Sequence, residues 1–336
     1  MKKSNKKYRF YCPEHHSPTH HQLAKFMLAA GLRHTRWPWR AQFTEHHLNF
    51  APILCEWLEF KHLLAQLIQQ YCPTVAPETY IMNEFSWPSV LSDMAAIYYT
   101  SQDRLVDHVP DLAWILKPSL LNNGQYIKIF DTLSQMEAHL LRPDHLAGPH
   151  VLQRYITNPH LYDGRKYSMR FFVVISQEAG AFLYPDGYLN VALTPYTNDY
   201  QVLAAHLTNE HLHTHRPSVI QIPTQQVPEY TQWYPQIRSI VTTITRGLEE
   251  AFPQAYIVQK ERTFAVFGFD FMLDQQGKVW FLEANHGPCF PIEEHHPLQT
   301  TLYQTFWESV VEQFVFPIAN KRPIPTTGCS RFEALR

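Results

Sequence analysis

The sequence predicts an α+β fold, and three observations carry the prediction. Runs of strand-like segments are mixed with flanking helices instead of alternating one for one with them, which argues against a doubly wound parallel sheet. Neither a GxGxxG nor a Walker loop occurs, and 11 glycines in 336 residues leave little raw material for either. Residues Phe264 to Phe290, FAVFGFDFMLDQQGKVWFLEANHGPCF, read as two apolar strands around the polar turn Asp274-Gln275-Gln276-Gly277.

Taken in order, the elements begin with an amphipathic helix from Thr19 to Ala30. Leu23, Phe26, Met27 and Ala30 share its face and Gly31 stops it. An irregular Trp/Pro/Arg piece follows, Arg36-Trp37-Pro38-Trp39-Arg40. A second helix, Glu56 to Tyr71, buries Leu58, Leu63, Leu64, Leu67 and Ile68. Cys72-Pro73 and Ala76-Pro77 break it, and Glu78-Thr79-Tyr80-Ile81 begins an extended run. A helix (87–100), strands (112–117 and 126–130) and a helix (132–140) come next. The Pro/Gly link Arg142 to His150 marks another boundary. Strands and loops then lead to a long helix (232–252), the hairpin, and a last helix (298–314). These boundaries divide the chain into an N-terminal subdomain (1–75), a central one (76–148), a C-terminal one (149–320) and a loosely held Pro-rich tail (321–336). No repeat and no low-complexity stretch is visible.

Composition excludes several classes. Hydrophobic content of 45% with 17% charged residues fits a globular chain. A net charge of −2 gives no bulk attraction to nucleic acid or an acidic membrane, although Lys2, Lys3, Lys6, Lys7 and Arg9 cluster at the start, where a solvated tail explains them. No apolar run reaches the roughly 18 residues of a membrane span, and no signal peptide follows the basic start. Cys12, Cys55, Cys72, Cys289 and Cys329 are scattered, without CxxC spacing, as expected of reduced thiols in a cytoplasmic protein. The 20 histidines include Glu-His-His triplets starting at Glu14, Glu45 and Glu294 and the alternating His211, His213 and His215. None has the spacing of a zinc site. Neither a GxSxG elbow nor a Cys-His motif supports a nucleophilic hydrolase.

The hairpin carries the first candidate chemistry. Side chains alternate along a strand, so Glu283 and Asn285 share a face. With Asp270 opposite Glu283, residue 274 pairs with 279 and the loop is 275–278. Facing carboxylates about 5 Å apart repel. A divalent cation removes that penalty, and an Asp/Glu/Asn oxygen set suits Mg²⁺. The alternative is a hairpin whose charges face water, against which the surrounding Phe, Trp and Leu argue. Upstream, the apolar strand Trp114-Ile115-Leu116-Lys117-Pro118 delivers a lysine suited to a phosphate, or simply a surface charge at a strand end. In Lys166-Tyr167-Ser168-Met169-Arg170-Phe171, alternation gathers Lys166, Ser168 and Arg170 on one face, either a phosphate platform or the outer face of an edge strand.

These segments, in this order, resemble the tubulin–tyrosine ligase family, an ATP-grasp group in which F-G-F-D-F is followed by a strand ending L-E-x-N. The resemblance spans roughly residues 57 to 316 and implies an ATP-grasp fold, with nucleotide held between two sheet subdomains after a small N-terminal one. It implies ATP and Mg²⁺ as cofactors, with Asp270, Glu283 and Asn285 on the metal. It places Lys117, Lys166 and Arg170 on phosphates, Lys117 and Arg170 being the catalytic pair. In Val151-Leu152-Gln153-Arg154-Tyr155-Ile156, the Gln153 side chain, the Arg154 carbonyl and the Ile156 amide would read adenine. In His206-Leu207-Thr208-Asn209, Thr208 and Asn209 would reach nucleotide and substrate. The chain departs from the family pattern at three places. Ser168 replaces an acid that holds ribose, Asn190 replaces an arginine that binds the reacting phosphate and acceptor carboxylate, and the Ser119–Gln125 loop has fewer glycines and lacks a lysine.

The implied function is an ATP-dependent ligase that joins an amino acid to a carboxylate of a protein or peptide, tubulin among the candidates, through an acylphosphate. Two rivals remain: a nucleotide-binding or protein-interaction module without turnover, and a small-molecule carboxylate–amine ligase.

Overall fold

The computed structural model describes residues 8–13, 17–209, 218–258, 261–291, 295–327 and 330–335. Lys2, Lys3, Lys6, Lys7, Glu14, His211, His213, His215, Glu294 and Cys329, singled out above, lie outside them.

In chain order the elements open with β1 (Arg9–Tyr11), α1 (Pro18–Ala29), β2 (Arg33–His34) and β3 (Phe43–Thr44), the strands forming a small parallel sheet in the order β2-β1-β3. α2 (Pro52–Glu59) and α3 (Lys61–Tyr71) follow, where the sequence suggests one helix. The break falls at Phe60, whose extended backbone (φ −79°, ψ 117°) turns the chain, and Pro52 at the first position of α2 starts the pair four residues early. Next come β4 (Thr79–Met82), α4 (Trp87–Tyr98), the hairpin of β5 (Thr100–Ser101) and β6 (Arg104–Leu105), β7 (Trp114–Pro118), β8 (Lys128–Phe130), α5 (Leu133–Leu140) and β9 (His150–Arg154). β10 (Leu161–Tyr162), β11 (Arg165–Ser176), β12 (Gly180–Ala192), α6 (Leu203–His206), β13 (Val219–Pro223), α7 (Tyr230–Ala251), β14 (Phe264–Leu273) and β15 (Val279–His286) complete the middle. The last helical run contains α8 (Gln304–Val310) and α9 (Phe316–Ala319), and β16 (Glu333–Leu335) ends the chain.

Two antiparallel sheets dominate, as the α+β reading requires. The smaller has four strands in the order β4-β9-β7-β8. Its second strand, β9, belongs on sequence boundaries to the segment after 148, but backbone pairing to β4 and β7 draws it into the smaller sheet. The larger has seven strands along the path β13-β12-β11-β14-β15, with β10 and β16 at its sides. Both faces of this sheet are covered. Tyr167, Met169, Phe171, Val173 and Ile175 pack with α2, α3 and α7, while Phe172 and Val174 pack with α1 and the final helical run. β11 is therefore a central strand, not an edge. The face that bears Lys166, Ser168 and Arg170 is apolar further along, so only one end of the strand is polar.

The chain end departs from expectation. Instead of a loose tail, β16 pairs with Ala181–Leu183 of β12, and Leu335 is buried. Unsatisfied backbone groups on the flank of β12 find partners there, which a proline-rich composition does not reveal. No helix among the described residues is long and apolar enough to cross a membrane. Cys12, Cys55 and Cys72 are buried free thiols and Cys289 is an exposed one.

Candidate functional site

Backbone pairing decides where the hairpin acids lie. Asp270 stands opposite Glu283 and Gly268 opposite Asn285. A bulge follows at once, so that Phe271 meets Phe281 and Leu282 is the extra residue. The Asp274 amide donates to the Lys278 carbonyl at 3.0 Å, which shortens the loop to 275–277 instead of the expected 275–278. The extra residue in the bulge accounts for the shortening, and the Asp274 carboxylate braces the turn by accepting from the backbone of Gln276 (3.0 Å) and Lys278 (2.9 Å) and from Trp280 Nε1 (2.8 Å).

A cavity of about 320 Å³ lies between the two sheets. β7 and β9 of the smaller sheet contribute Lys117, Gln153 and Arg154, with Ile156 just beyond. The larger contributes Lys166, Ser168, Arg170, Asn190, Asp270, Glu283 and Asn285, and the loop after α6 adds Thr208 and Asn209. Every candidate side chain named from sequence lines this one space. A second hollow of about 720 Å³ lies across β9, backed by α3 and the hairpin turn, and shares Lys61, Lys117 and Gln153 with the first.

Asp270 is 6% exposed, so the reading in which it faces water fails. Its charge is met from the neighbouring strand: Arg170 Nε donates to Oδ1 at 2.8 Å and Nη2 to Oδ2 at 2.6 Å, while Asn285 Nδ2 donates to Oδ2 at 3.2 Å. Sequence reasoning aims Arg170 at phosphates; here it is spent on Asp270. Gly268 makes this possible, because a Cβ there would stand 3.2 Å from Arg170 Cδ and 3.3 Å from its Nε. Burial pushes the Asp270 carboxyl up, and Arg170 opposes that shift. Burial would raise Glu283 as well, but Lys61, Lys117 and Arg170 outweigh it and hold that carboxyl below its usual range.

Lys61 is a residue sequence reasoning missed. Its Nζ lies 3.6 Å from Glu283 Oε2 and donates to the Leu121 carbonyl at 2.9 Å. Read as the middle of one helix it is an ordinary surface lysine; the break at Phe60 makes it the first residue of α3, pointing at the hairpin. Lys117 Nζ donates to Gln153 Oε1 at 2.8 Å, and Gln153 Nε2 to Thr79 Oγ1 at 3.0 Å. Burial lowers Lys117 to about 8.

Lys166 is also buried, and burial with Lys117 nearby pushes it well down. It donates to the Tyr155 hydroxyl, which bonds His206 Nδ1 at 2.9 Å; His206 Nε2 donates to the Asp199 carbonyl at 2.9 Å. Burial also lowers His206. A neutral imidazole with its proton on Nε2 satisfies both contacts. Tyr155 was hidden inside a hexapeptide that reads as plain core strand.

Ser168 and Asn190, two of the three departures noted in the sequence, form a neutral row with Gln221. Ser168, Asn190 and Gln221 are cross-strand neighbours on β11, β12 and β13. Gln221 Nε2 donates to Asn190 Oδ1 at 3.0 Å, and Thr208 Oγ1 donates to Ser168 Oγ at 2.8 Å. The Ile156 amide has no hydrogen-bond partner among the described residues, which leaves a donor free at the end of β9. No group of three or more His, Cys, Asp or Glu able to hold a metal occurs among the described residues. Asp270, Glu283 and Asn285 do line one part of the cavity, with both Asp270 oxygens engaged by Arg170 and one of them by Asn285 as well.

Comparison with known proteins matches most of the chain. The model of the Tubulin-tyrosine ligase family matches residues 53–324. The chain is similar to Protein polyglycylase TTLL10 of Macaca fascicularis, 26% identical over 251 residues, covering 62% of this chain and 41% of that protein. It is similar to Inactive polyglycylase TTLL10 of Homo sapiens, 25% identical over 256 residues, covering 62% and 37%. Tubulin polyglutamylase TTLL13 of Mus musculus is 28% identical over 173 residues, covering 43% and 22%. The matched part thus spans less than half the length of these relatives.

Proposed function

Because the chain belongs to the tubulin-tyrosine ligase family, we propose that it is an ATP- and Mg²⁺-dependent ligase joining an amino acid to a carboxylate of a protein or peptide. The observation that carries this reading is the convergence of Lys61, Lys117, Lys166 and Arg170 with Asp270 and Glu283 on one cavity between two sheets. Such a cluster binds polyanions and stabilises charge that moves during phosphoryl transfer. Relatives named polyglycylase and polyglutamylase support an amino acid as the amine and a protein as the acceptor.

In this reading Gln153, the Arg154 carbonyl and the free Ile156 amide take the adenine edge, and Thr208 with Ser168 takes the ribose. Lys117 and Lys166 hold phosphates. The γ-phosphoryl group moves to the acceptor carboxylate, giving an acylphosphate and ADP; the amine nitrogen then attacks the acyl carbon, and phosphate leaves with the amide formed. Asp270, Glu283 and Asn285 would hold Mg²⁺, which neutralises phosphate charge when bound. Arg170 orients Asp270 and opposes the upward pull of burial on its carboxyl. Asn190, where the family carries an arginine, leaves Lys61 and Lys117 as the cations nearest Glu283 for the reacting phosphate.

Mass spectrometry of a heat-treated lysate incubated with the protein, ATP and Mg²⁺ tests the reading. Amino-acid mass additions on an acceptor protein are expected, and their absence together with absent ATP turnover would sink it. A second reading, a nucleotide-binding module without turnover, is favoured by the two-pronged Arg170–Asp270 pair and the neutral row at Ser168 and Asn190. It predicts ATP binding that no acceptor converts into hydrolysis.

A further inference from the structure

Of the polar side chains in His206-Leu207-Thr208-Asn209, the proposed function uses Thr208 and Asn209 and leaves His206 without a role. His206 closes α6 and is 2% exposed, as is Lys166; Tyr155, which stands between them, is 5% exposed. All three border the cavity. Polar groups buried this deeply must satisfy one another, and the way they do so fixes what each can do.

They form an unbranched chain of hydrogen bonds. Lys166 Nζ donates to the Tyr155 oxygen, the Tyr155 hydroxyl donates to His206 Nδ1 at 2.9 Å, and His206 Nε2 donates to the Asp199 carbonyl at 2.9 Å. The far end sets the direction. A carbonyl only accepts, so Nε2 carries a proton, and in the neutral ring Nδ1 remains an acceptor for the tyrosine hydroxyl. The Tyr155 oxygen then has a lone pair for the Lys166 N–H. Lys166 Nζ also lies 4.0 Å from the Tyr155 ring centroid, a second contact that favours a cation at that point. Tyr196 and Tyr200 pack on the imidazole with ring centroids 5.5 and 5.3 Å away, and Tyr200 meets Tyr155 at 5.5 Å, which holds both rings in the chain.

Two ionisable nitrogens thus share one hydroxyl. If both were charged, Nδ1–H and Nζ–H would point at the same Tyr155 oxygen, the tyrosine proton would lose its acceptor, and two buried cations would face each other across it. Burial already presses both towards their neutral forms, and each cation adds to the cost: Lys117 lowers Lys166 further, and Lys166 lowers His206 further. The titratable groups that face the pair are Lys117 on β7 and, around the rings, Tyr155, Tyr196, Tyr200 and Asp199. Of these, Asp199 favours a charge on His206.

We propose that Tyr155 and His206 are positioning residues that aim Lys166 at a phosphate in the cavity and permit a single positive charge between Lys166 and His206. The charge passes along the chain without a co-reactant. Starting from a charged His206, the Nδ1–H bond breaks as the Tyr155 oxygen takes that proton, and the Tyr155 O–H bond breaks as Lys166 Nζ takes the hydroxyl's own. A neutral imidazole, an intact hydroxyl and an ammonium result, with both hydrogen bonds reversed. A phosphate, which attracts the ammonium, draws the charge to the Lys166 end. The phosphate rests on the ligase reading; the exclusion of a second charge does not.

Two measurements on the full chain test the proposal. Nitrogen-15 NMR of the histidine rings, with the His206 signals assigned by their absence in His206→Gln, follows the imidazole without any ligand. A neutral ring with its proton on Nε2 is expected, titrating below the ordinary value of about 6.5 and moving up towards it in Lys166→Met. A His206 that titrates like a free histidine, or that ignores Lys166→Met, overturns the proposal. ADP affinity is then measured by calorimetry between about pH 6.5 and about pH 9 in the parent and in Tyr155→Phe, which keeps the ring and removes the hydroxyl. An oxygen that accepts from an ammonium favours its charged form, so losing it should weaken ADP by about three- to tenfold at about pH 8 and by less at about pH 6.5. His206→Gln, whose amide offers an acceptor to Tyr155 and a donor to the Asp199 carbonyl, should keep more of the parent's profile than His206→Leu. A loss of equal size at every pH marks the hydroxyl as merely structural, and no loss marks it as idle; either overturns the proposal. A parent that binds no ADP, with the imidazole behaving as expected, removes the ligase reading and its phosphate but leaves the one-charge pair. ADP binding beside an ordinary, unlinked His206 does the reverse.

Discussion

Glu283 sits among cations with a side chain 24% exposed, and its Lys61 partner is 10% exposed. From sequence, replacing it by glutamine relieves repulsion with Asp270 and leaves apo stability level or higher. The structure reverses that sign, because Arg170 already neutralises Asp270 and Glu283 is the partner of Lys61. Glu283→Gln is expected to cost about 1–3 kcal/mol without metal, the penalty for leaving a buried charge without its partner. It should also abolish the stabilisation that Mg²⁺ and ATP confer together. Thermal melts with and without Mg–ATP check both, and a level apo melt would detach Lys61 from Glu283. The lysines make a second residue-scale prediction. Burial holds Lys117 at about 8 and pushes Lys166 down, whereas free lysine titrates near 10.4. Between those values the unfolded chain binds more protons, so the lysines' contribution to stability rises with pH from about 8 to about 10.4. A phosphate ligand favours the charged form, so ADP affinity should fall as pH rises through about 8. Calorimetric titration at pH 7 and pH 9, in buffers of different ionisation enthalpy, should show weaker binding at the higher pH. Proton uptake should accompany binding. A flat profile would mean that these amines do not meet phosphates.

At the scale of elements, α3 is the piece whose placement matters most. Its first residue reaches Glu283, and Tyr71 at its other end rests on α7 where Gly247 leaves room; a Cβ on Gly247 would stand 2.8 Å from Tyr71 Cβ. Gly247→Ala gains about 1 kcal/mol of helix propensity, but forcing the helices apart costs about 1–3 kcal/mol. A net loss in denaturant midpoint is expected, with a smaller nucleotide-induced shift because Lys61 moves with its helix. A gain in stability would show that α3 yields freely. Legibility varied in the same way among the elements. The polar face of β11 could be read from alternation, since a strand fixes which side chains share a side. The break between α2 and α3 is only faintly legible: Leu64, Leu67 and Ile68 keep a helical spacing, but Leu58 lies six residues before Leu64 and falls off their stripe.

For the whole molecule, the chain end closes one flank of the large sheet. β16 lies on β12, the strand that also carries Asn190, and Arg331 pairs with Asp186 of the same strand. Deleting residues 328–336 exposes the partners of Phe332 and Leu335, a loss of about 2–5 kcal/mol by the burial of two large apolar side chains. A lowered melting temperature with retained ATP binding is expected. An unchanged melt would return the tail to the loose state that its composition suggests.

The sequence by itself determined the α+β class, the hairpin acids, the polar face of β11 and the lysine of β7, because alternation and side-chain chemistry are local properties of the chain. Only the tertiary structure decided what those groups touch. Arg170 turns to Asp270 because β11 and β14 pair in the register that sets them opposite each other. Lys61 and Tyr155 join the cavity because α3 and β9 fold against it, and β16 docks because β12 has a flank to fill. Each outcome depends on pairing between segments far apart in sequence, and such pairing leaves no signature in either segment alone.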